Sequence, residues 1–269
     1  MCFQFYAVRE GNFQKLHPMA HRYFIKLQYD GSRYHGWQIQ PNANSVQETL
    51  NKALGLILHC EIETTGCGRT DTGVHARQFY AHFDLEEPIN NSNYLIQRLD
   101  AMRIPGILCE AVAEVPTDLH ARFSATQRSY EYHVMHKRDP FKEGLAHHLF
   151  GDLNYEAMNA AAQLLIGKQD FSAFSKSNTQ VHTNFCNVIE AYWEQLGNHA
   201  VFHISADRFL RNMVRAIVGT LIDIGHGKMH PEEMRTILAS KNRSKAGTSV
   251  PAHGLYLTQI QYPLHFPFE

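Results

Sequence analysis

The stretch Gly68-Arg69-Thr70-Asp71-Thr72-Gly73-Val74-His75-Ala76 sets one carboxylate between two glycines, with a fixed cation two residues upstream. Glycines at 66, 68 and 73 let the backbone turn tightly and come close to a ligand. Ile62 before the stretch, and Phe79 and Phe83 after it, alternate as strand residues do. The reading is a loop carried by a sheet, between strands near 60–66 and 77–84. Composition alone favours an Asx turn, in which the Asp71 carboxylate satisfies amides of its own loop.

Upstream, Tyr23, Ile25, Leu27 and Tyr29 predict a half-buried strand over 23–29, followed by a loop containing Tyr34 and Trp37. Ser45 and Glu48 form a capping box ahead of Val46, Leu50, Ala53, Leu54, Ile57 and Leu58, which share one helical face. A helix near 91–102 and a strand near 107–115 complete a first lobe of helices on one sheet. Downstream, Tyr130, Tyr132 and Val134 share one face of a strand near 126–136, which turns Tyr130 toward the loop. A helix over 154–166 ended by Gly167, and a hairpin of strands 185–195 and 200–206 about Gly197-Asn198, follow. A helix over 208–225, a short one after Pro231 and a last strand over 254–262 close the second lobe. In that 208–225 helix Arg211 and Arg215 are four residues apart and share a face. The fold class is α+β, with residues 1–20 an extension, 21–116 a first lobe and 117–269 a second. Met19 offers an alternative start.

With 269 residues, 44% of them hydrophobic, the chain can bury a large core. It has no run of about eighteen apolar residues, and its first twenty lack a signal-peptide pattern, so the expectation is a cytoplasmic protein with no membrane span. Five cysteines, at 2, 60, 67, 109 and 186, suit reduced thiols, and Cys67 reads as a small buried residue. The net charge of -1 does not suggest nucleic acid, so any RNA surface must be a local patch. Three groups offer one: Arg122, Arg128, Lys137 and Arg138; Arg208, Arg211 and Arg215; and Arg235, Lys241, Arg243 and Lys245. For the last, a solvated face is an equally good account.

The loop sequence resembles the signature of the tRNA pseudouridine synthase A family, and the resemblance runs in order from about residue 22 to 262. It includes Leu27-Gln28-Tyr29-Asp30-Gly31-Ser32, Tyr34-His35-Gly36-Trp37-Gln38 and Ser45-Val46-Gln47-Glu48. Beyond the loop come His120-Ala121-Arg122-Phe123-Ser124-Ala125-Thr126, Arg128, Tyr130 and Asp170-Phe171-Ser172-Ala173-Phe174. Met213-Val214-Arg215, Ile217-Val218-Gly219 and Gly254-Leu255-Tyr256-Leu257 complete it.

The resemblance implies the pseudouridine synthase fold: two similar α/β lobes with joined, mainly antiparallel mixed sheets and a central cleft. It implies a homodimer acting on tRNA uridines 38, 39 and 40 in the anticodon stem-loop. Asp71 would be the nucleophile, attacking either uracil C6 or ribose C1′. Tyr130 would bind the uridine and remove the C5 proton, and Arg215 would pair with Asp71. Arg69 would fill the gap left by the flipped base, and Leu255 would pack near the uracil ring. Arg211 is assigned to RNA contact.

Two other readings compete. Eighteen histidines could suggest a metal hydrolase, but no HExxH occurs, and His226 and His230 are flanked by Gly225, Gly227 and Pro231, which disfavour a regular helix. A non-catalytic RNA-binding module would have no use for the Asp71 loop. Nucleophile and base are both side chains, so no cofactor and no metal are expected. Activity is therefore expected to be unchanged in EDTA; a loss that zinc restores would overturn this reading.

Overall fold

The computed structural model describes residues 21–176, 183–263 and 266–268, so the extension expected at residues 1–20 lies outside the described residues. The first half runs β1 (His21–Tyr29), α1 (Val46–Leu58), β2 (Thr65–Gly66), β3 (His75–Leu85), α2 (Ser92–Ala101) and β4 (Ile107–Val115). Alternation places Tyr23, Ile25, Leu27 and Tyr29 on one buried face of β1, and Phe24 on the other is buried as well. The second face is covered at Phe24, while Arg22, Lys26 and Gln28 on it are half-buried. Phe24 meets Tyr262 and Phe266 edge-on at 5.6 and 5.5 Å, so the last residues of the chain seal the back of the first half. Helix α1 forms half of the expected capping box: the Ser45 hydroxyl accepts from the Glu48 N–H at 3.2 Å, while the Glu48 carboxylate pairs with Lys52 at 2.6 Å.

The second half runs β5 (Gln127–Met135), β6 (His147–His148), α3 (Tyr155–Gln163), β7 (Gly167–Asp170), β8 (Phe185–Leu196), β9 (His199–Ala206), α4 (Met213–Gly225), α5 (Glu233–Ser240) and β10 (Leu255–Gln261). All strands join one ten-stranded sheet in the order β4-β1-β3-β10-β5-β9-β8-β7, with β2 on β3 and β6 on β5. The last strand lies at the seam: β10 is parallel to β3 through Tyr256–His75 and Leu257–Ala76, and antiparallel to β5 from Leu255–Tyr132 to Gln261–Gln127. Two cores result. One holds Phe79, Phe83 and Leu54 with Leu257 and Ile260 from β10; the other holds Phe202, Ile204 and Ile217, and also takes in Val74 from the Asp71 loop. Truncating a fully buried phenylalanine such as Phe79 or Phe202 typically costs about 3–5 kcal/mol.

Three boundaries differ from the sequence reading by three residues or more. The strand expected at 60–66 shrinks to Thr65–Gly66, because side chains of α1 serve the Thr64 backbone: its N–H donates to Asn51 Oδ1 at 3.1 Å and its carbonyl accepts from Gln47 Nε2 at 2.6 Å. The helix expected to reach 166 stops at Gln163, where three tight turns follow and the Gln169 amide caps the carbonyls of Leu164 and Ile166 at 3.0 and 3.1 Å. The helix expected from 208 begins at Met213, since Asn212 sits at φ 67°, a conformation that cannot continue a right-handed helix.

His82 on β3 is a buried imidazole whose Nδ1 accepts the Ala121 N–H at 3.1 Å. Burial, then the charges of Arg22 and His120, push its pKa down to about 4, with Asp84 opposing. An unfolded histidine protonates near 6.5. Between those values the unfolded chain holds the extra proton, so stability is lost as pH falls from about 6.5 toward 4. Burial shifts His75, His147 and His199 in the same direction. The urea midpoint is expected to drop across this window, and His82→Gln to flatten the drop; an unaltered slope in that variant would remove His82 as its source.

Candidate active site

Residues 67–74 are held from beneath by the chain that follows β1. Gly36, at φ 88°, lies so close that a Cβ there would meet the Thr70 carbonyl oxygen at 2.4 Å. The Trp37 N–H donates to that same carbonyl at 3.3 Å, and the hydroxyls of Tyr29 and Thr70 bond at 3.0 Å. Gly73, at φ 79°, completes a tight turn closed by the Val74 N–H donating to the Asp71 carbonyl at 3.1 Å. The turn uses the Asp71 backbone and not its side chain. Among the described residues no amide donates to the Asp71 carboxylate, which corrects the Asx turn that composition favoured.

The carboxylate instead faces two guanidinium groups from the other half. Arg215, on α4, brings Nη1 to 3.8 Å from Oδ2 of Asp71, while its Nε donates to the Val250 carbonyl at 2.7 Å and fixes the fork. Arg211 brings Nε to 3.6 Å from Oδ1. The two arginines do not share a helical face, because Arg211 precedes Asn212 and lies outside α4. They converge because the left-handed Asn212, tied by its side-chain amide to Ser249 Oγ at 2.6 Å, redirects the chain into the helix. The Asp71 side chain is 30% exposed, Arg215 22% and Arg211 59%, so the site is open on the Arg211 side.

Tyr130, on β5, is half-buried and meets Phe209 edge-on at 5.1 Å. Burial raises its phenol pKa, the Cys67 thiol and Asp71 push the same way, and Arg128 opposes. Burial also pushes the Cys67 thiol up to about 12, in keeping with a packed, unreactive residue. Leu255 is buried opposite Tyr132 at the start of β10 and belongs to the second core. Arg69 is exposed, and among the described residues it has no ion-pair partner.

Other cations have structural work. Arg128 donates inward to the carbonyls of Ala125, Asp207, Arg122 and Cys67, tying three stretches of backbone together. Arg243 donates to the carbonyls of Ala246 and Gly247 and to Ser249 Oγ, and Lys241 pairs with Asp170 at 2.9 Å. A count of charges along the chain could not separate these from outward-facing cations. The Val250 carbonyl that anchors Arg215 carried no sequence signal at all.

The model of a family described as tRNA pseudouridine synthase matches residues 161–263, a span containing Arg211, Arg215 and Leu255. A protein of Parabacteroides distasonis named tRNA pseudouridine synthase A is 47% identical over 249 residues, 92% of this chain and 99% of that one. One of Bacteroides thetaiotaomicron with the same name is 47% identical over 245 residues, 90% of this chain and 91% of its own. A third so named, from Idiomarina loihiensis, is 39% identical over 249 residues, covering 91% and 94%.

Gly36 tests how the loop is held. Gly36→Ala adds an atom against the Thr70 carbonyl at a backbone angle that alanine rarely adopts. The variant is expected to melt at a lower temperature and, in its crystal structure, to move Asp71 away from Arg215. An unmoved loop with an unchanged melting temperature would show that Gly36 is dispensable there.

Proposed function

Because this chain belongs to the tRNA pseudouridine synthase A family, we propose that it isomerises uridine to pseudouridine at positions 38, 39 and 40 of the tRNA anticodon arm, with Asp71 as nucleophile. The observation that supports this reading most is a carboxylate that no loop amide neutralises, flanked at 3.6 and 3.8 Å by two arginines from the other half of the chain.

In this reading the N1–C1′ bond breaks, uracil turns over within the site, and the C5–C1′ bond forms. C5 then loses a proton and N1 gains one, so the reaction is balanced without any redox partner, and we propose no cofactor and no metal. Asp71 attacks uracil C6 or ribose C1′, and either route divides one hard step into easier ones. Arg215 orients the carboxylate. Tyr130 receives the C5 proton; its phenol is kept protonated by burial, so it acts as a relay, passing on its own proton as it takes the new one. Leu255 offers the uracil ring an apolar contact. Arg69 occupies the gap that the flipped uridine leaves, where a guanidinium both stacks on bases and grips phosphate. Arg211, the more exposed of the two arginines beside Asp71, meets the RNA backbone.

The reading also includes a cleft between lobes 21–116 and 117–269, work in the cytoplasm, and a homodimer sharing one tRNA. Phe141 and Phe150, 90% and 80% exposed, support an apolar contact between copies. Among the described residues no helix is long and apolar enough to cross a membrane.

Incubation with unmodified tRNA transcripts, followed by site-by-site mapping of pseudouridine, tests the whole reading, and product confined to positions outside 38–40 would refute the assigned target. Asp71→Asn is expected to abolish product while binding tRNA within a few-fold of the parent protein. Arg215→Met is expected to lower kcat roughly 10²-fold with a smaller change in affinity. A larger loss of affinity than of turnover would make Arg215 a phosphate contact instead.

A further inference from the structure

Beside the Asp71 loop, three arginines from three separate segments are gathered around Arg128. The Arg128 guanidinium donates to the carbonyls of Ala125 at 2.8 Å, Asp207 at 2.9 Å, Arg122 at 2.5 Å and Cys67 at 3.4 Å. These acceptors lie on three segments, each carrying another arginine: Arg122 three residues before Ala125, Arg208 next to Asp207, and Arg69 two residues beyond Cys67. One half-buried fork thus fixes the segments that carry the three outer ones. Partial desolvation, then the charges of Arg69, Arg128 and Arg208, hold Arg122 below the ordinary arginine pKa, as expected of like charges held close. Among the described residues no carboxylate forms an ion pair with Arg69, Arg122 or Arg208, and no acceptor takes their guanidinium groups. The nearest acid along the chain, Asp207, accepts the Asn187 N–H at 2.8 Å instead.

An exposed aromatic ring stands at the same place. Phe123 is 77% exposed, so it contributes little to the core, and the Arg122 guanidinium lies 5.7 Å from its ring centroid. Its backbone is nonetheless fixed. The His120 ring accepts the N–H groups of Arg122 and Phe123 at 3.0 and 3.3 Å and packs on the Phe123 ring at 4.4 Å. Fully buried Ala121 is bonded on both sides, its N–H to His82 and its carbonyl to the Tyr262 hydroxyl. The fold displays a rigid aromatic face beside unbalanced guanidinium forks, the pairing that binds single-stranded nucleic acid by stacking and by phosphate contact.

We infer that Arg69, Arg122, Arg208 and Phe123 form a subsite for the nucleotide adjoining the target uridine, the arginines holding its phosphodiester and Phe123 stacking on its base. The inference rests on the reading of Asp71 as the nucleophile of a uridine isomerase. Adjacency follows from the chain: Arg69 and Asp71 are two residues apart, so their Cα atoms are separated by at most about 7 Å.

The test uses an anticodon stem-loop RNA carrying 2-aminopurine next to the target uridine, titrated with the intact protein at several salt concentrations. Phe123→Ala is expected to weaken binding about tenfold and to remove the fluorescence change that wild-type binding produces. Arg122→Gln is expected to reduce the slope of log affinity against log salt by about one phosphate contact, roughly 0.7–0.9. Melting temperatures close to wild type would show that both variants fold. Wild-type affinity, slope and fluorescence in both variants, with pseudouridine still formed by the parent protein, would overturn the subsite and leave the proposed function standing. Failure of the parent protein to form pseudouridine in any transcript would overturn the proposed function, and the subsite with it.

Discussion

Everything at the candidate active site depends on a carboxylate from one half of the chain being met by guanidinium groups from the other. At about 4 Å and an effective dielectric constant of about 20, one such pair attracts with roughly 4 kcal/mol before solvation is counted. Loss of hydration offsets much of that in a partly open site, so the contact orients the carboxylate more than it stabilises the fold. The holding is done by backbone. Thr70 is gripped by Trp37 and Tyr29, Val74 is packed into the second core, and Arg215 is anchored on the Val250 carbonyl. The arrangement exists only because β10 lies between β3 and β5 and makes one sheet of two halves.

That seam also explains how a nearly neutral chain can present a strongly basic place. The net charge is -1, yet the arginines that pair with no carboxylate among the described residues include two kinds. Arg128 and Arg243 turn inward and bond backbone carbonyls, as struts that a lysine, lacking the planar fork, could not replace. Arg69, Arg122 and Arg208 are left unbalanced around Arg128. Total charge averages over the two kinds and so says little about the surface. The inward arginine fixes the segments that carry the outward ones through bonds to their carbonyls, while its own charge adds to the repulsion at Arg122.

Local rules read well wherever the interaction is local. The strand spans of β1 and β5, the Ser45 cap of α1 and the Gly197 hairpin are each decided within a few residues, and each lies where it was expected. The errors lie where distant groups took over. Thr64 was drawn from the sheet by side chains of α1, Gln169 ended α3 early, and a left-handed Asn212 delayed α4. The Asx turn favoured for Asp71 failed for a similar reason, since its carboxylate faces arginines about 140 residues further along the chain.

The sequence by itself determined the α+β class, the loop that carries Asp71, and the residue types from which a site could be made, because spacing and turn chemistry act over short range. It also pointed to Arg215 beside Asp71, through resemblance to a family and not through any local rule. Only the tertiary structure decided that Arg211 joins that pair from outside the helix, that Arg128 is a strut, and that Phe123 is held rigid in the open. Each of these depends on contacts between segments far apart in the chain, and no local periodicity records which distant carbonyl or carboxylate a guanidinium will meet.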